Sequence, residues 1–305
     1  MSSRAVVAIT GTDPCGGSMS SVDARTCMAH GVHCATVVTA VTAQNTNDCY
    51  EVFPLPTELV TRQLACALRD FDTIVVKVGL VPSADAARAI ADLLKNPPTG
   101  KDDPMDPEHD GDAGTIVAVV LDPMFTAASG EIMVDPSAMD AIKEHLLPLA
   151  TIATPNLMEA QLLLGGDLQN SDVQRMKDAA VKMASAHGCA VLLKGGSKWR
   201  FAREEAENVL AFESQCVEVL TAPMVRTDNT MGCGCTLAAS LASQLLLSGY
   251  PAGDSRGILV EASQAAVDYV AMAVAMAAKA KLGRGVHGIV QQHVNDRAVD
   301  SSASK

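Results

Sequence analysis

Residues 5–17 read AVVAITGTDPCGG, and this stretch indicates the fold class of the chain. Residues 5–10 are a short apolar run with the length of a buried strand, and a glycine-rich turn links them to residues 18–29, which have helical potential. A strand, a glycine turn and a helix open a βαβ unit, in which ligands bind beyond the carboxyl end of the strand. The glycines do not follow the spacing G-x-G-x-x-G, so the fingerprint of a dinucleotide-binding fold is absent.

The same alternation continues along the chain. Strands are predicted at residues 34–43, 73–78, 115–121, 151–154 and 190–193, and a hairpin at residues 209–212 and 216–221. Helices are predicted between or after them, at residues 57–69, 84–95, 137–147, 171–187, 237–247 and 258–280. This alternation predicts an α/β fold with three layers, α/β/α, around a mostly parallel, doubly wound sheet.

We expect one domain over residues 1–305. Residues 97–114 are rich in Pro, Gly and Asp and hold no branched aliphatic side chain, so they cannot bury enough apolar area to order themselves. They are predicted to be an acidic surface loop, and residues 296–305 a flexible tail.

The composition limits the classes of function. The net charge of −12 argues against a nucleic-acid partner, because such a protein needs a basic face. Nine scattered cysteines without a C-x-x-C pair, and no signal peptide before Ala5, indicate reduced thiols and a cytoplasmic location. Residues 258–280 are apolar but carry Glu261 and Asp268, so a buried helix fits them better than a membrane span.

Residues 227–240, TDNTMGCGCTLAAS, are the strongest candidate for the site of chemistry. Small residues that lead into a helix start present unpaired backbone amides and the positive end of the helix dipole, which suit a phosphate. Cys235 would lie among these amides, where the pKa of a thiol is lowered. Taken alone, the stretch fits a tight turn into a core helix with a buried cysteine equally well.

Other polar side chains follow predicted strands in the same way. Asp122 is well placed for a metal ion, although aspartate is also common in turns. Asn156 and Glu159 share a helix face and could orient a Mg²⁺–phosphate group, or Glu159 could be a first-turn helix acid. Lys194, followed by two glycines, could reach a phosphate. Because the carboxyl ends of parallel strands share one edge of a sheet, these residues predict one phosphate-handling cleft.

Together these segments resemble the ribokinase-like superfamily, and within it the hydroxymethylpyrimidine/phosphomethylpyrimidine kinases of thiamine biosynthesis. The resemblance extends over roughly residues 5–290, too far for a chance motif. It rests on segments that occur in the family's order: AITGTDPCGG (8–17), VTAVTAQNT (38–46), KVGL (77–80), VLDPMFTAASG (120–130), ATPNLMEA (153–160), LLKGG (192–196) and TDNTMGCGCTLAAS (227–240).

The resemblance implies ATP-dependent phosphorylation of the hydroxymethyl group of a small pyrimidine alcohol and of its monophosphate. It implies ATP and Mg²⁺ as cofactors and a homodimer, with neither nucleic acid nor membrane as partner. It also implies a role for each matching position. Gly11, Asp23, Gln44 and Leu80 would bind the pyrimidine; Asn156, Lys194 and Thr227 the ATP; Asp122 and Glu159 the metal; and Gly232, Cys233, Gly234 and Cys235 would form the anion hole, with Cys235 as the base.

Several positions depart from the family pattern, among them Ser197, where the family often has histidine, and Ala128, where it often has lysine or threonine. Met19 stands where the family usually has glycine, Met231 where it has histidine, and Cys233 where it has threonine. Met19 lies close to the expected substrate, so we expect an active enzyme with an altered substrate tolerance. Two alternatives stay open: a pyridoxal or pyridoxine kinase of vitamin B6 salvage, which acts on a pyridine alcohol, and a catalytically weak ligand-binding member.

Overall fold

A nine-stranded sheet forms the centre of the molecule. The computed structural model describes residues 2–99, 112–127, 130–168, 172–196, 204–213, 216–279 and 281–292, and within them the strand order is β3-β2-β1-β4-β5-β6-β7-β8-β9. The strands are β1 (Arg4–Thr12), β2 (His33–Gln44), β3 (Cys49–Pro54), β4 (Thr73–Val78), β5 (Thr115–Leu121), β6 (Ile152–Ala153), β7 (Ala190–Lys194), β8 (Glu205–Ala211) and β9 (Val217–Pro223). The six inner strands are parallel, namely β2, β1, β4, β5, β6 and β7. Antiparallel strands complete the sheet, with β3 at one end and β8 and β9 at the other.

Helices cover both faces of this sheet. They are α1 (Met19–Ala29), α2 (Thr57–Arg69), α3 (Ala84–Lys95), α4 (Pro136–Ala141), α5 (Leu157–Leu164), α6 (Val173–His187), α7 (Cys233–Ser248) and α8 (Ser255–Lys279). A π-helical turn, Ile142–Leu146, and a 3₁₀ turn, Leu147–Leu149, follow α4. The prediction of a three-layer α/β/α fold with a mostly parallel sheet is confirmed.

The central strands are apolar on both faces because each face meets helices. In β1, Val6 belongs to the core under α7 and α8, whereas its neighbour Val7 belongs to the core under α2 to α6. Val75 and Val76 of β4 divide in the same way. Side chains alternate along a strand, so a continuous β-branched run fills both cores at once.

Two elements differ in kind from the sequence prediction, and β8 and α7 each begin four residues before their predicted bounds. β3 was not predicted, because its CYEVFP sequence is half exposed and lies at the edge of the sheet, where the apolar pattern is weak. The single helix expected at residues 137–147 is instead an α-helix that widens into the π-helical turn and then tightens before Pro148. Proline has no amide hydrogen, so it cannot donate a helical hydrogen bond there.

The predicted acidic loop at residues 97–114 lies largely outside the described residues, as does the predicted tail at residues 296–305. The two ends of the loop are joined, because the Ala113 amide donates to the Pro98 carbonyl at 2.9 Å. The chain therefore leaves and re-enters the fold at one point.

Among the described helices, α8 is the one whose length and hydropathy would suffice to cross a membrane. Core helices of globular proteins pass the same test, and Leu259, Ala262, Ala266 and Val267 of α8 are buried in the core shared with α7. The prediction that this stretch is a helix with a buried face is confirmed.

Candidate active site

A cavity of about 480 Å³ opens at the edge of the sheet where the parallel strands end. The Asn156–Lys194 bridge extends the pairing of β6 and β7 up to this cavity. The structure thus brings the separate strand-end constellations together. The predicted site residues that line the cavity are Gln44, Asp122, Asn156, Glu159, Lys194, Gly232, Cys233, Gly234 and Cys235.

The other four predicted site residues do not line this cavity. Gly11, Asp23 and Leu80 lie beneath it, and the Leu80 and Asp23 side chains are completely buried. Thr227 lies in the loop before α7, where its hydroxyl oxygen accepts the Asn229 amide at 3.1 Å. Thr230, three residues further on, is the threonine of that loop that reaches the cavity.

The start of α7 closes one side of the cavity. Gly232 precedes the helix with a φ of 92°, and an added Cβ there would lie 2.3 Å from the Gly17 carbonyl oxygen, so only glycine fits. The first hydrogen bond within the helix runs from the Thr236 amide to the Gly232 carbonyl at 2.8 Å. The amides of Gly234 and Cys235 therefore precede the first intrahelical donor and can bind an anion, whereas the Cys233 amide donates to Thr230.

Two acids and a lysine face this helix start. Lys194 Nζ donates to Asp122 Oδ1 at 2.8 Å and lies 4.0 Å from Glu159 Oε2. Burial raises the pKa of Glu159 to about 7 against the effect of the Lys194 charge. Burial acts to lower the pKa of Lys194, but the charges of Asp122 and Glu159 raise it above its usual value. The lysine thus stays an ammonium ion and balances the buried acids.

Glu159 has a structural role as well. Its carboxylate accepts the Asn156 amide at 2.8 Å, and the Asn156 side chain accepts the Glu159 amide at 2.9 Å. This reciprocal capping box starts α5. The structure therefore shows the helix-acid role of Glu159, and the same geometry fixes its carboxylate 4.0 Å from Lys194.

The oxygen donors at this position fit a magnesium ion that binds together with phosphate. Within the described part of the chain no group of three or more His, Cys, Asp or Glu side chains could form a complete metal cage. Asp122 and Glu159 offer two carboxylates at the cavity, and Mg²⁺ is commonly held by one or two carboxylates plus substrate phosphates.

Beneath the cavity lies a buried ion pair that the sequence analysis did not identify. Lys77 Nζ donates to Asp23 Oδ2 at 2.8 Å, and neither side chain is exposed. Burial raises the pKa of Asp23 to about 6, although Lys77 acts to lower it. Burial also acts to lower the pKa of Lys77, but Asp23, Cys235 and Asp122 raise it above its usual value. The pair is therefore ionised at neutral pH.

Cys235 is 3% exposed. It lies between the buried pair of Lys77 and Asp23 on one side and the charged side chains of Lys194 and Asp122 on the other. Its sulfur accepts the Met19 amide at 3.3 Å, and its thiol donates to Met124 Sδ at 3.9 Å. Burial raises the pKa of Cys235 to about 12, even though Lys77 acts to lower it. The sequence prediction of a lowered thiol pKa is therefore wrong: loss of hydration raises this pKa more than the Lys77 charge and the Met19 amide lower it.

Two sets of residues, one beside the cavity and one in its wall, were missed by the sequence analysis. Asp13 holds the glycine turn after β1, because its carboxylate accepts the Gly17 amide at 3.0 Å and the Ser18 hydroxyl at 2.9 Å. An aspartate before a glycine turn is a recognisable signal for this role. The apolar wall of the cavity comes from Ala222, Val225, Val267, Val270 and Val274 of β9, the loop after it and α8, and nothing in their pattern separates them from core residues.

The fold and the site together define a kinase of small molecules with the ribokinase-like α/β architecture. A family model described as phosphomethylpyrimidine kinase matches residues 13–107 and 111–291. The chain belongs to the phosphomethylpyrimidine kinase family.

Curated relatives agree with this family. A hydroxymethylpyrimidine/phosphomethylpyrimidine kinase of Rhizobium meliloti is 34% identical over 281 residues, which are 92% of this chain and 93% of the relative. The chloroplastic thiamine biosynthetic bifunctional enzyme of Arabidopsis thaliana is 34% identical over 79% of this chain, and the match spans 42% of that longer protein.

Solved structures agree with the fold. Pyridoxal kinase of Bacillus subtilis, solved as an ADP complex, superposes with a TM-score of 0.75 at 26% identity and covers 96% of this chain and 98% of its own. Phosphomethylpyrimidine kinase of Clostridium difficile superposes with a TM-score of 0.67 at 26% identity and covers 88% and 98%.

The buried ion pair leads to a first prediction. Replacement Lys77→Met leaves Asp23 buried without its cation, so we expect a loss of about 3–5 kcal/mol in the free energy of unfolding. The double replacement Lys77→Met with Asp23→Asn removes both charges and should lose less than the single one. Urea denaturation measures both, with Lys182→Met, on the exposed surface of α6, as the matched control.

The pH dependence of the stability of Lys77→Met tests whether the loss comes from the buried Asp23 charge. Without Lys77 the folded-state pKa of Asp23 lies above about 6, whereas an unfolded aspartate titrates near pH 4. The folded variant then holds a proton that the unfolded chain releases, so its stability should fall as the pH rises through this range. A pH-independent loss would contradict the buried-charge explanation.

Proposed function

We propose that the chain transfers the γ-phosphoryl group of ATP to the hydroxymethyl group of 4-amino-5-hydroxymethyl-2-methylpyrimidine, and then to the resulting monophosphate, in thiamine biosynthesis. The observation that carries this proposal is the arrangement of the α7 amides and the Cys235 thiol opposite Lys194 and Asp122 within one cavity. Such a site can bind phosphate on one side and hold an alcohol on the other. The relative and the family model that match almost the whole chain are both named for pyrimidine kinases, which supports the pyrimidine as acceptor.

The nucleotide half of the cavity has two parts of different chemistry. The valines and alanine from β9, the loop after it and α8 form an apolar wall that suits a flat base such as adenine. Lys194 and the amides of Gly234 and Cys235 suit the phosphates. We assign Asn156 to the same phosphates, and Thr227 to the support of the loop before α7.

Magnesium would be held by Asp122 and Glu159. When bound, the ion neutralises charge on the phosphates. In the free protein Lys194 balances these acids, 2.8 Å from Asp122 and 4.0 Å from Glu159. If these acids also held a second cation, the Lys194 ammonium would be available to a phosphate oxygen.

Cys235 would act on the alcohol side. Phosphoryl transfer depends mainly on alignment and charge stabilisation, and it needs only modest help from a base. Because the pKa of Cys235 is raised to about 12, the side chain is a thiol at neutral pH that can orient the hydroxymethyl group by hydrogen bonding. To act as a base, Cys235 would first have to lose its own proton to solvent, giving a thiolate that the Lys77 charge favours. The thiolate would then take the alcohol proton and end as the thiol.

This assignment gives a second prediction. Cys235→Ala should lower kcat for the pyrimidine alcohol about 10²-fold, the lower end of general acid–base effects, with little change in the KM for ATP, because the amides and Lys194 remain. A coupled assay of ADP release measures this, and Cys66→Ala, at an exposed cysteine of α2, is the control. Full activity of Cys235→Ala would remove Cys235 from the mechanism.

A third prediction concerns magnesium. Asp122→Asn removes one of the two proposed carboxylate ligands, so the concentration of free Mg²⁺ needed for half-maximal rate should rise about tenfold or more. The matched control is Asp140→Asn, at an exposed aspartate of α4. An unchanged Mg²⁺ dependence would show that Asp122 is not a ligand.

A second candidate function is phosphorylation of pyridoxal. The TM-score to the pyridoxal kinase of Bacillus subtilis is 0.75, against 0.67 for the phosphomethylpyrimidine kinase of Clostridium difficile. The same coupled assay with each alcohol separates the two. A kcat/KM that is orders of magnitude higher for pyridoxal would overturn the thiamine assignment, and tight binding of an alcohol without turnover would favour a ligand-binding protein.

We also propose that the whole chain works as one kinase domain in the cytoplasm and pairs with a second copy of itself, with neither a nucleic acid nor a membrane as partner. The continuous sheet supports the single domain, and the nine free cysteines support a reducing compartment. The edge of the sheet supports the pairing, since Val41 of β2 faces Phe53 of β3 and both are exposed, by 48% and 61%. A second copy would cover this apolar patch.

A fourth prediction follows for the assembly. Phe53→Ser should shift the mass measured by light scattering after size exclusion from that of a dimer towards that of a monomer. Leu162→Ser, at an exposed leucine of α5 far along the sheet order, should leave the mass unchanged. A monomeric wild-type protein would overturn the proposed dimer.

A further inference from the structure

Met19 has a backbone conformation that methionine rarely adopts. It begins α1 with a φ of 55°, in the left-handed region where side chains other than glycine are strained. Met124 shares this property with a φ of 45°, and both contact Cys235. Backbone strain of this kind persists only when the surroundings hold it, and it concentrates at functional sites.

The Met19 side chain fills the space between Gly11, Leu80 and the cavity. A Cβ added to Gly11 would lie 2.9 Å from Met19 Sδ and 3.0 Å from Leu80 Cδ2, so both side chains close on this glycine. Met19 is 1% exposed and lines the cavity, whereas Gly11 and Leu80 do not. A ring that enters the alcohol side beside Cys235 therefore meets the thioether first.

From this geometry we infer that Met19 is a specificity-determining residue for the acceptor ring, an inference that rests on the proposed function. The side chain is unbranched and can shift to admit a ring, but its volume stays beside the ring. A pyridoxal ring carries four substituents, whereas the hydroxymethylpyrimidine carries three. The Met19 thioether disfavours the more substituted ring, and removal of the thioether should admit it.

The test compares Met19→Ala and Met19→Gly with the wild type. The readout is the ratio of kcat/KM for pyridoxal to kcat/KM for the pyrimidine alcohol, with saturating ATP. One extra or missing methylene in a pocket changes such a ratio about 10- to 200-fold, so we expect a rise of at least about tenfold in both variants. Met19→Leu, which keeps the volume, should leave the ratio within about threefold of the wild type.

Met28 provides the matched control on the same helix, because it is 69% exposed and remote from the cavity. Met28→Ala should leave the ratio unchanged. Urea midpoints check the backbone: Met19→Gly should be more stable than Met19→Ala, because glycine adopts a φ of 55° without strain. At Met28 the order should be reversed, because glycine weakens a regular helix.

A constant substrate ratio in folded Met19→Ala and Met19→Gly would overturn the inference. If the wild type phosphorylates neither alcohol, the proposed function fails. The role of Met19 is then tested by the ratio of the dissociation constants of the two alcohols, measured by calorimetry. A tenfold shift of their ratio in the variants would still support the role of Met19. An unchanged ratio, or no binding of either alcohol to any variant, would contradict it.

Discussion

The close approach of Gly232 to Gly17 is the constraint on which the site depends. No side chain fits between the turn after β1 and the start of α7, since an added Cβ on Gly232 would lie 2.3 Å from the Gly17 oxygen. Asp13 fixes the first of these two turns through the Gly17 amide. Because the turns touch, the first residue of α1 can donate its amide to Cys235 in the first turn of α7. Two helices that are more than two hundred residues apart thus begin at one point.

The charged side chains at this point are buried, so they are neutralised by one another rather than hydrated. Two lysines, Lys77 and Lys194, face three acids, and the thiol lies between them. Loss of hydration pushes Asp23, Glu159 and the Cys235 thiol towards their neutral forms, while the lysines oppose that change. The positive and negative side chains of this site nearly cancel. An added phosphate or cation therefore acts strongly on them, because there is little water to screen its charge.

The sequence predicted the parts of the molecule that local pattern controls. β4 and β5 have the predicted bounds, and the turn residues Asp122 and Lys194 meet as expected because strand ends share an edge. Lys77 could not be found, because its partner lies 54 positions away and a lone lysine in an apolar strand carries no signal. The raised pKa of Cys235 was missed for a similar reason: it depends on side chains that the fold packs around the sulfur, not on the helix start itself.

The hydrogen bond between Ala113 and Pro98 has a consequence for how this chain can vary. It joins the two ends of the acidic segment before β5 begins. The position of β5 in the sheet therefore does not depend on how many residues lie between those ends. Closing a loop of twice the length costs only about 0.6 kcal/mol more. This position is therefore a natural insertion point, where a fused peptide or label would leave the register of β4 and β5, and with it the catalytic edge, unaltered.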